Sequence, residues 1–193
     1  DAAVSPEFKQ AGSRVYIVPA EKDAQDLPVF PKLRANFEKI RQLTAAGKVR
    51  AAQSIGVGGI AAAVTKMTLG NGIGFAFAKD MTAEELFCAD YGTILLELAD
   101  DVDVAAALAD TGVYELGQTT AEQEIRVNGA VIRIAEAEQA YTTPLEKIFP
   151  TKTKTVSGTA TYVPYTKGNG IQPTVHIARP HVIIPVFPGT NCE

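Results

Sequence analysis

Tryptophan is absent from the 193 residues, and cysteine, methionine and histidine occur only twice each. Two cysteines, Cys88 and Cys192, cannot build a disulfide framework for a chain of this size, and their scarcity fits a reducing cytoplasm. The two histidines, His176 and His181, come with no Cys pair at ligand spacing, so no metal site is expected. Positive charge is also short. The net charge of −4 argues against a nucleic-acid binder, whose phosphate contacts need a cationic excess. No run approaches the roughly eighteen consecutive apolar residues of a membrane-spanning helix, so no membrane partner is expected. No signal peptide is recognisable. The chain opens Asp1-Ala2-Ala3 without an initiator Met and stops one loop past an apolar run, which reads as a piece of a longer protein.

What is present is ordinary globular material, with 46% apolar and 21% charged residues. At roughly 150 residues per domain, one domain fits with about forty residues left over, too few for a second core. Charge divides the chain in three. Residues 1–50 carry a net +3, residues 51–150 a net −10 and residues 151–193 a net +3. The acidic middle is expected to be a solvated face.

The first strand is expected at Arg14–Val18. A helix over about 31–46 follows from Pro31 at a first helical position, Leu33, Phe37, Ile40 and Leu43 at helical spacing, and Gly47 at the stop. A strand through Val49–Ile55 runs into Gly56-Val57-Gly58-Gly59, and a second helix covers Ile60 to about Met67. Ile73–Ala78 reads as a strand. Thr82 with Glu85 makes a capping box, opening a helix that includes Glu84–Asp90, and Thr93–Leu98 is a strong strand. Asp101 or Asp103 caps a helix Val104–Ala109. Glu124–Val127 and Ala130–Ile134 form a hairpin about Asn128-Gly129, because Asn-Gly supplies the two positive-φ residues of a type I′ turn. A last helix covers about Glu136–Ile148, interrupted or reset near Pro144. Strands alternating with helices but including a hairpin predict an α/β (α+β) domain, a three-layer sandwich on a mixed sheet.

After Pro150 the composition changes. Residues 151–166 hold six Thr and one Ser, and Gly168-Asn169-Gly170 follows, which reads as a connector. Val182–Phe187 looks like a buried strand ending in a Pro-Gly loop. The expected division is therefore a domain at 1–150, a linker at 151–178 and a separate stub at 179–193.

The stretch with chemistry to offer is Gln53-Ser54-Ile55-Gly56-Val57-Gly58-Gly59. Glycines between a strand and a helix let backbone approach a ligand, and N–H groups at a helix N-terminus favour an anion such as phosphate. Ser54, Gly56, Gly58 and Gly59 are the candidate phosphate- or nucleotide-binding residues. The same pattern also serves a tight strand-to-helix turn in which glycine permits close helix–sheet packing. It matches neither the phosphate loop ending in Gly-Lys-Ser/Thr nor the dinucleotide fingerprint.

Three stretches carry a family resemblance. They are Val4-Ser5-Pro6-Glu7 through Gly12-Ser13-Arg14-Val15-Tyr16, then Ala45-Ala46-Gly47-Lys48, and Ala52 through Ala61 with Lys66-Met67. Together they resemble the C-terminal domain of the aminoimidazole ribonucleotide synthetase superfamily, whose fold is related to the ferredoxin-like plan. Within it the likeness is to the phosphoribosylformylglycinamidine synthases of purine biosynthesis. His181 through Cys192 resembles the opening strand and loop of the glutaminase domain that follows the second synthetase half in large, single-chain members. The resemblance implies a fragment of an ATP-, Mg- and glutamine-dependent ligase that converts formylglycinamide ribonucleotide to its amidine. Phosphoryl transfer would activate the amide oxygen for displacement by ammonia, a reaction served by charge neutralisation and positioning. It further implies a preceding ATP-binding domain and a following glutaminase domain as partners, and no catalytic residue in this fragment, which alone would be inactive.

The resemblance also marks a departure. The family loop reads H-D-x-S-D-G-G, and here Ser54 and Val57 stand at its two acidic positions, which removes the carboxylates that would help hold magnesium. Cys192 lies in the first loop of the glutaminase-like stretch, away from the family nucleophile, and is expected to be a lining residue at most. Cys88 is expected to be a buried thiol, and His176 and His181 to be solvent-exposed. Asp100, Asp101 and Asp103 lack the glycine and glutamate of a calcium loop and read as helix caps. Two other readings stay open: a nucleotide- or phosphate-binding module of another superfamily member, and a purely structural domain.

Overall fold

A computed structural model of the chain describes residues 3–152, 179, 181–187, 189 and 191. Inter-residue contacts divide the chain into two units, Asp1–Lys152 and Thr153–Glu193.

The first unit is built on a mixed seven-stranded sheet in the order β2-β4-β1-β5-β3-β6-β7. Its strands are β1 Arg14–Val18, β2 Val49–Ser54, β3 Gly74–Phe77, β4 Ile94–Leu98, β5 Tyr114–Thr120, β6 Glu124–Val127 and β7 Ala130–Arg133. Every pairing is antiparallel except β3 with β6. Helices cover both faces: α1 Phe30–Ala45, α2 Gly59–Leu69, α3 Ala83–Phe87, α4 Val104–Ala107 and α5 Ile134–Glu146.

Strand alternation explains the two cores. In β1, Val15 and Ile17 join one cluster with Phe8, Leu95, Phe75 and the inward residues of α2, among them Val64 and Met67. Tyr16 and Val18 point the other way, joining Leu96, Leu98 and Leu108 beneath α1 and α4. A strand buried on both faces reads as a continuous apolar run, and Val15–Val18 does.

Local chemistry fixed most boundaries within two or three residues of the expected ones. The capping box is complete, with the Thr82 N–H donating to Glu85 Oε2 at 2.7 Å and the Glu85 N–H to Thr82 Oγ1 at 3.2 Å. Asp103, not Asp101, caps α4, accepting from the Ala106 N–H at 3.2 Å. Asp101 instead pairs with Lys48, and Asp100 with Arg50 at 3.0 Å. The hairpin turn has φ of 53° at Asn128 and 74° at Gly129, as a type I′ turn demands.

Several expectations need correction. β5, at the centre of the sheet, carries no clear period-2 signal. A bulge between Val15 and Tyr16 shifts its register against β1, and Gly117 interrupts it. That glycine is spatial necessity, since a Cβ there would lie 2.1 Å from the Ala76 carbonyl oxygen. Helix α5 begins at Ile134 and continues through Pro144 to Glu146. Pro144 removes one N–H from the last turn, where only a single turn of helix remains to be disturbed and the Thr142 and Thr143 hydroxyls bond back to the Glu138 and Gln139 carbonyls. Helix α3 is short and stops at Phe87, so Cys88 follows it in extended backbone and is exposed, not buried. Val182–Phe187 is neither a strand nor buried: no strand pairs with it among the described residues, and its side chains are exposed. His181 is exposed as expected, while His176, Cys192 and nearly all of the Thr-rich connector lie outside the described residues.

Candidate functional site

The glycine loop sits where an edge strand hands over to a helix. β2 ends at Ser54, which is exposed, and the Ile55 N–H donates to the Thr93 carbonyl at 3.0 Å, carrying the chain into the core. Val57 then stands at the tip with 83% of its surface exposed. Gly58 and Gly59 follow with φ of 88° and 65°, the left-handed region that glycine alone enters without cost. The turn closes when the Gly59 N–H donates to Gly56 O and the Ala62 N–H to Gly58 O, at 3.0 and 3.1 Å.

Space separates the roles of the glycines. A Cβ on Gly59 would lie 2.5 Å from the Leu86 carbonyl oxygen and 2.8 Å from that of Cys88. Gly59 therefore lets the start of α2 pack against the end of α3, which is the close-packing role. Gly56 is different: its nearest neighbour for a Cβ is the Tyr91 ring at 3.8 Å, so the backbone there is approachable. Ser54, Gly56 and Gly58 thus form one exposed to half-buried ledge, with Gly59 sealed behind it.

Two clefts flank the ledge. Val57 and Gly58 border an apolar cleft of about 650 Å³ between α2, α5 and the β6–β7 hairpin, whose one charged lining residue is Lys66. On the other side of α3, a polar cleft of about 290 Å³ is lined by Lys22, Lys79, Glu85, Asp90 and Tyr114, with Ile60 of α2. Lys22 is held between Asp90 and Asp26 at 3.2 and 3.3 Å, which raises its pKa. Burial pushes the Tyr114 phenol up, with Asp90 and Glu85 adding to it. These polar residues come from three separate stretches, around residues 22, 79–90 and 114, so no spacing in the sequence could have announced them. Among the described residues no group of three or more His, Cys, Asp or Glu is placed to hold a metal. The loop itself offers a hydroxyl at Ser54 and an isopropyl group at Val57, neither of which replaces a carboxylate toward magnesium. No described helix is long and apolar enough to cross a membrane.

The site is thus a glycine-rich ledge at one strand end of a mixed sheet that carries helices on both faces. No protein-family model matches the chain. It is similar in sequence to phosphoribosylformylglycinamidine synthase subunit PurL of Lactobacillus delbrueckii subsp. bulgaricus, at 30% identity over 112 residues, 55% of this chain and 15% of the relative. It shares its fold with PurL of Thermotoga maritima, solved with AMPPCP, at a TM-score of 0.58 and 16% identity over 71% of this chain and 27% of that one. The same protein solved with FGAR gives 0.56 at 12% identity, covering 71% and 29%. Escherichia coli HypE, a hydrogenase maturation protein, gives 0.51 at 16% identity, covering 68% and 51%. Both comparisons support the resemblance drawn from the synthetase-like stretches: the chain is similar in sequence to PurL and shares its α+β fold. The chain spans 15% of the curated relative's length.

Proposed function

We propose that the chain is part of a synthetase half of an ATP- and glutamine-dependent carbon–nitrogen ligase that converts formylglycinamide ribonucleotide to its amidine in the cytoplasm. The observation that carries this reading is the 112-residue likeness to PurL. The fold shared with PurL solved in complexes with AMPPCP, ATP, ADP and FGAR supports it. In this reading residues 1–150 form the synthetase domain and 151–178 a linker. Residues 179–193 would be the first strand and loop of a glutaminase domain, a strand that residues 182–187 do not form in this chain, and the reading is supported by the likeness of residues 181–192.

The Ser54 hydroxyl and the backbone of Gly56 and Gly58 are the groups that would face a nucleotide phosphate, with Gly59 holding the helix start in place. ATP would supply the phosphoryl group that activates the amide oxygen. The loop's own contribution is orientation by N–H groups and the positive end of α2. Magnesium does not fit this loop, because no carboxylate stands in it. Preceding and following domains supply the missing groups, and the chain alone is inactive.

Two observations favour a second reading, a structural domain that binds no nucleotide: packing and a left-handed φ already account for Gly59, and Val57 and Gly58 border an apolar cleft. Calorimetry and hydrogen exchange with ADP and with ATP plus magnesium separate the two. The ligase reading expects heat of binding, and slowed exchange at Val57–Ala62, when the chain is joined to a PurL-type preceding domain. No heat and no slowing would favour the structural domain. Amidine formation by the 193-residue chain alone would overturn the fragment reading.

A further inference from the structure

We propose that Asn128 is a modification site: its side-chain amide is set up for spontaneous deamidation, and the product unfastens the β6–β7 hairpin from the segment that starts α3.

Three Asn-Gly pairs occur in the chain, at 71–72, 128–129 and 169–170, the last of them outside the described residues. Such a pair invites attack by the backbone nitrogen on the preceding side chain, because glycine has no Cβ to shield that nitrogen. The structure separates the two described pairs. At Asn71 the attacking group is occupied, since the Gly72 N–H donates to the Thr68 carbonyl at 3.0 Å. The Gln123 amide also crowds it, 3.0 Å from where a Gly72 Cβ would lie. At Asn128 the attacking group is open. The Gly129 N–H makes no hydrogen bond among the described residues, and nothing lies within 4 Å of a Cβ there. A cleft of about 290 Å³, lined among others by Lys79, Asp80 and Arg126, adjoins the turn and admits water. The electrophile is prepared as well. Asn128 Oδ1 accepts the Met81 N–H at 2.8 Å, so a donor already faces the oxygen on which negative charge develops when Cγ is attacked.

The reaction needs water and no other reagent. The Gly129 nitrogen bonds to Asn128 Cγ, the Cγ–Nδ2 bond breaks, and the proton given up by Gly129 departs with the ammonia. Water then opens the cyclic imide at either carbonyl. One opening leaves aspartate, and the other leaves isoaspartate with the chain rerouted through Cβ and Cγ.

The product is felt at Met81. In the amide form Nδ2 donates to the Met81 carbonyl at 2.6 Å, which completes a two-way clasp with the Met81 backbone. Deamidation puts a carboxylate oxygen where that donor stood, so two acceptors face each other and the Met81 carbonyl loses its partner. Met81 is buried in the cluster beneath α2, and Thr82 beside it caps α3. Isoaspartate also lengthens a turn whose φ values of 53° and 74° fit a two-residue connection, which loosens the hairpin itself. The inference is independent of the ligase reading, because it uses neither ATP nor the glycine ledge.

The test ages the whole 193-residue chain at mildly alkaline pH, folded and in urea, and follows conversion of each Asn-Gly pair by peptide mass spectrometry. Folded, Asn128 is expected to convert about tenfold faster than Asn71, and in urea the two should convert at similar rates. The aged chain, separated by its added negative charge, and Asn128→Asp should both exchange amide hydrogens over Met81–Glu85 about tenfold faster than the fresh chain. Asn71 converting as fast as Asn128 in the folded chain would overturn the proposal. So would a folded Asn128 that stays intact while it converts in urea, which would make the clasp a guard. Unchanged exchange over Met81–Glu85 in both the aged chain and Asn128→Asp would overturn the unfastening.

Discussion

The sheet face beneath α2 is finished differently at its two ends. At one end the N-terminal segment folds over it. Phe8 is fully buried, stacks on Phe75 with ring centroids 5.5 Å apart, and donates its N–H to the Met67 carbonyl at 2.9 Å. Beside it Glu97, also fully buried, accepts the Lys9 and Gln10 N–H groups at 2.8 and 3.1 Å. A carboxylate without an ion pair is normally costly to bury, and here two backbone donors satisfy it. At the other end, β7 has all four residues exposed, including Val131 and Ile132, and nothing among the described residues covers the apolar cleft beside it. The contrast separates surface that this chain buries for its own stability from surface that its described residues leave uncovered.

The largest effect expected is at the closed end. Phe8→Ala removes a ring from a well-packed cluster and should cost about 3–5 kcal/mol in urea unfolding of the chain. A loss under about 1 kcal/mol would mean that the N-terminal segment is not part of the core in solution, and the contrast between the ends would disappear.

Next in size is the seam between α2 and α3, which divides the glycine ledge from the interior. Gly59→Ala forces a Cβ against the Leu86 carbonyl oxygen at a φ of 65°, and should destabilise by about 2–4 kcal/mol. Gly129→Ala has a φ of 74° and nothing within 4 Å, so it isolates the conformational part and should cost about 1 kcal/mol. Equal losses for the two variants would remove the close-packing role assigned to Gly59.

Smaller again is the contribution of the capping box that starts α3. Thr82→Ala should cost about 1 kcal/mol near neutral pH. Glu85 titrates below its ordinary 4.5, first because its carboxylate accepts the Thr82 N–H and then through the Thr82 hydroxyl. A lowered carboxylate value means that its stabilisation is present above the unfolded pKa and is lost as pH falls through the folded one. Protection factors of the Leu86 and Cys88 amides should therefore fall below about pH 4.5, and Glu85→Gln should flatten that dependence. A dependence unchanged by Glu85→Gln would show that another group holds the seam.

What the sequence made legible follows from how local each feature is. The Asn128-Gly129 turn and the Thr82–Glu85 box rest on neighbours within three positions, and both form as read. β5 was missed because its pattern is set by a bulge against β1 and by the approach of β3, neither of which is written in residues 114–120. The burial of Phe8 and Glu97 was equally silent, since the Lys9–Glu97 contact spans 88 positions. The candidate site was half legible. Four glycine-loop residues could be named, but only the position of α3 shows that Gly59 serves packing while Gly56 stays approachable. The exposure of Cys88 could not be read either, because it depends on α3 stopping at Phe87, short of the Asp90 to which the helix was expected to run.

The smallest change in stability belongs to the open end, and it is the most discriminating. Tyr141 is a large aromatic on α5, a residue type that costs about 3–5 kcal/mol to truncate when it is buried. Here it is 61% exposed, so Tyr141→Ser should alter unfolding by less than about 0.5 kcal/mol. An aromatic ring that contributes so little to the fold it belongs to is left uncovered by it. Should Tyr141→Ser cost as much as a core residue, the apolar cleft is closed by the chain itself in solution, and the two ends of the sheet are finished alike.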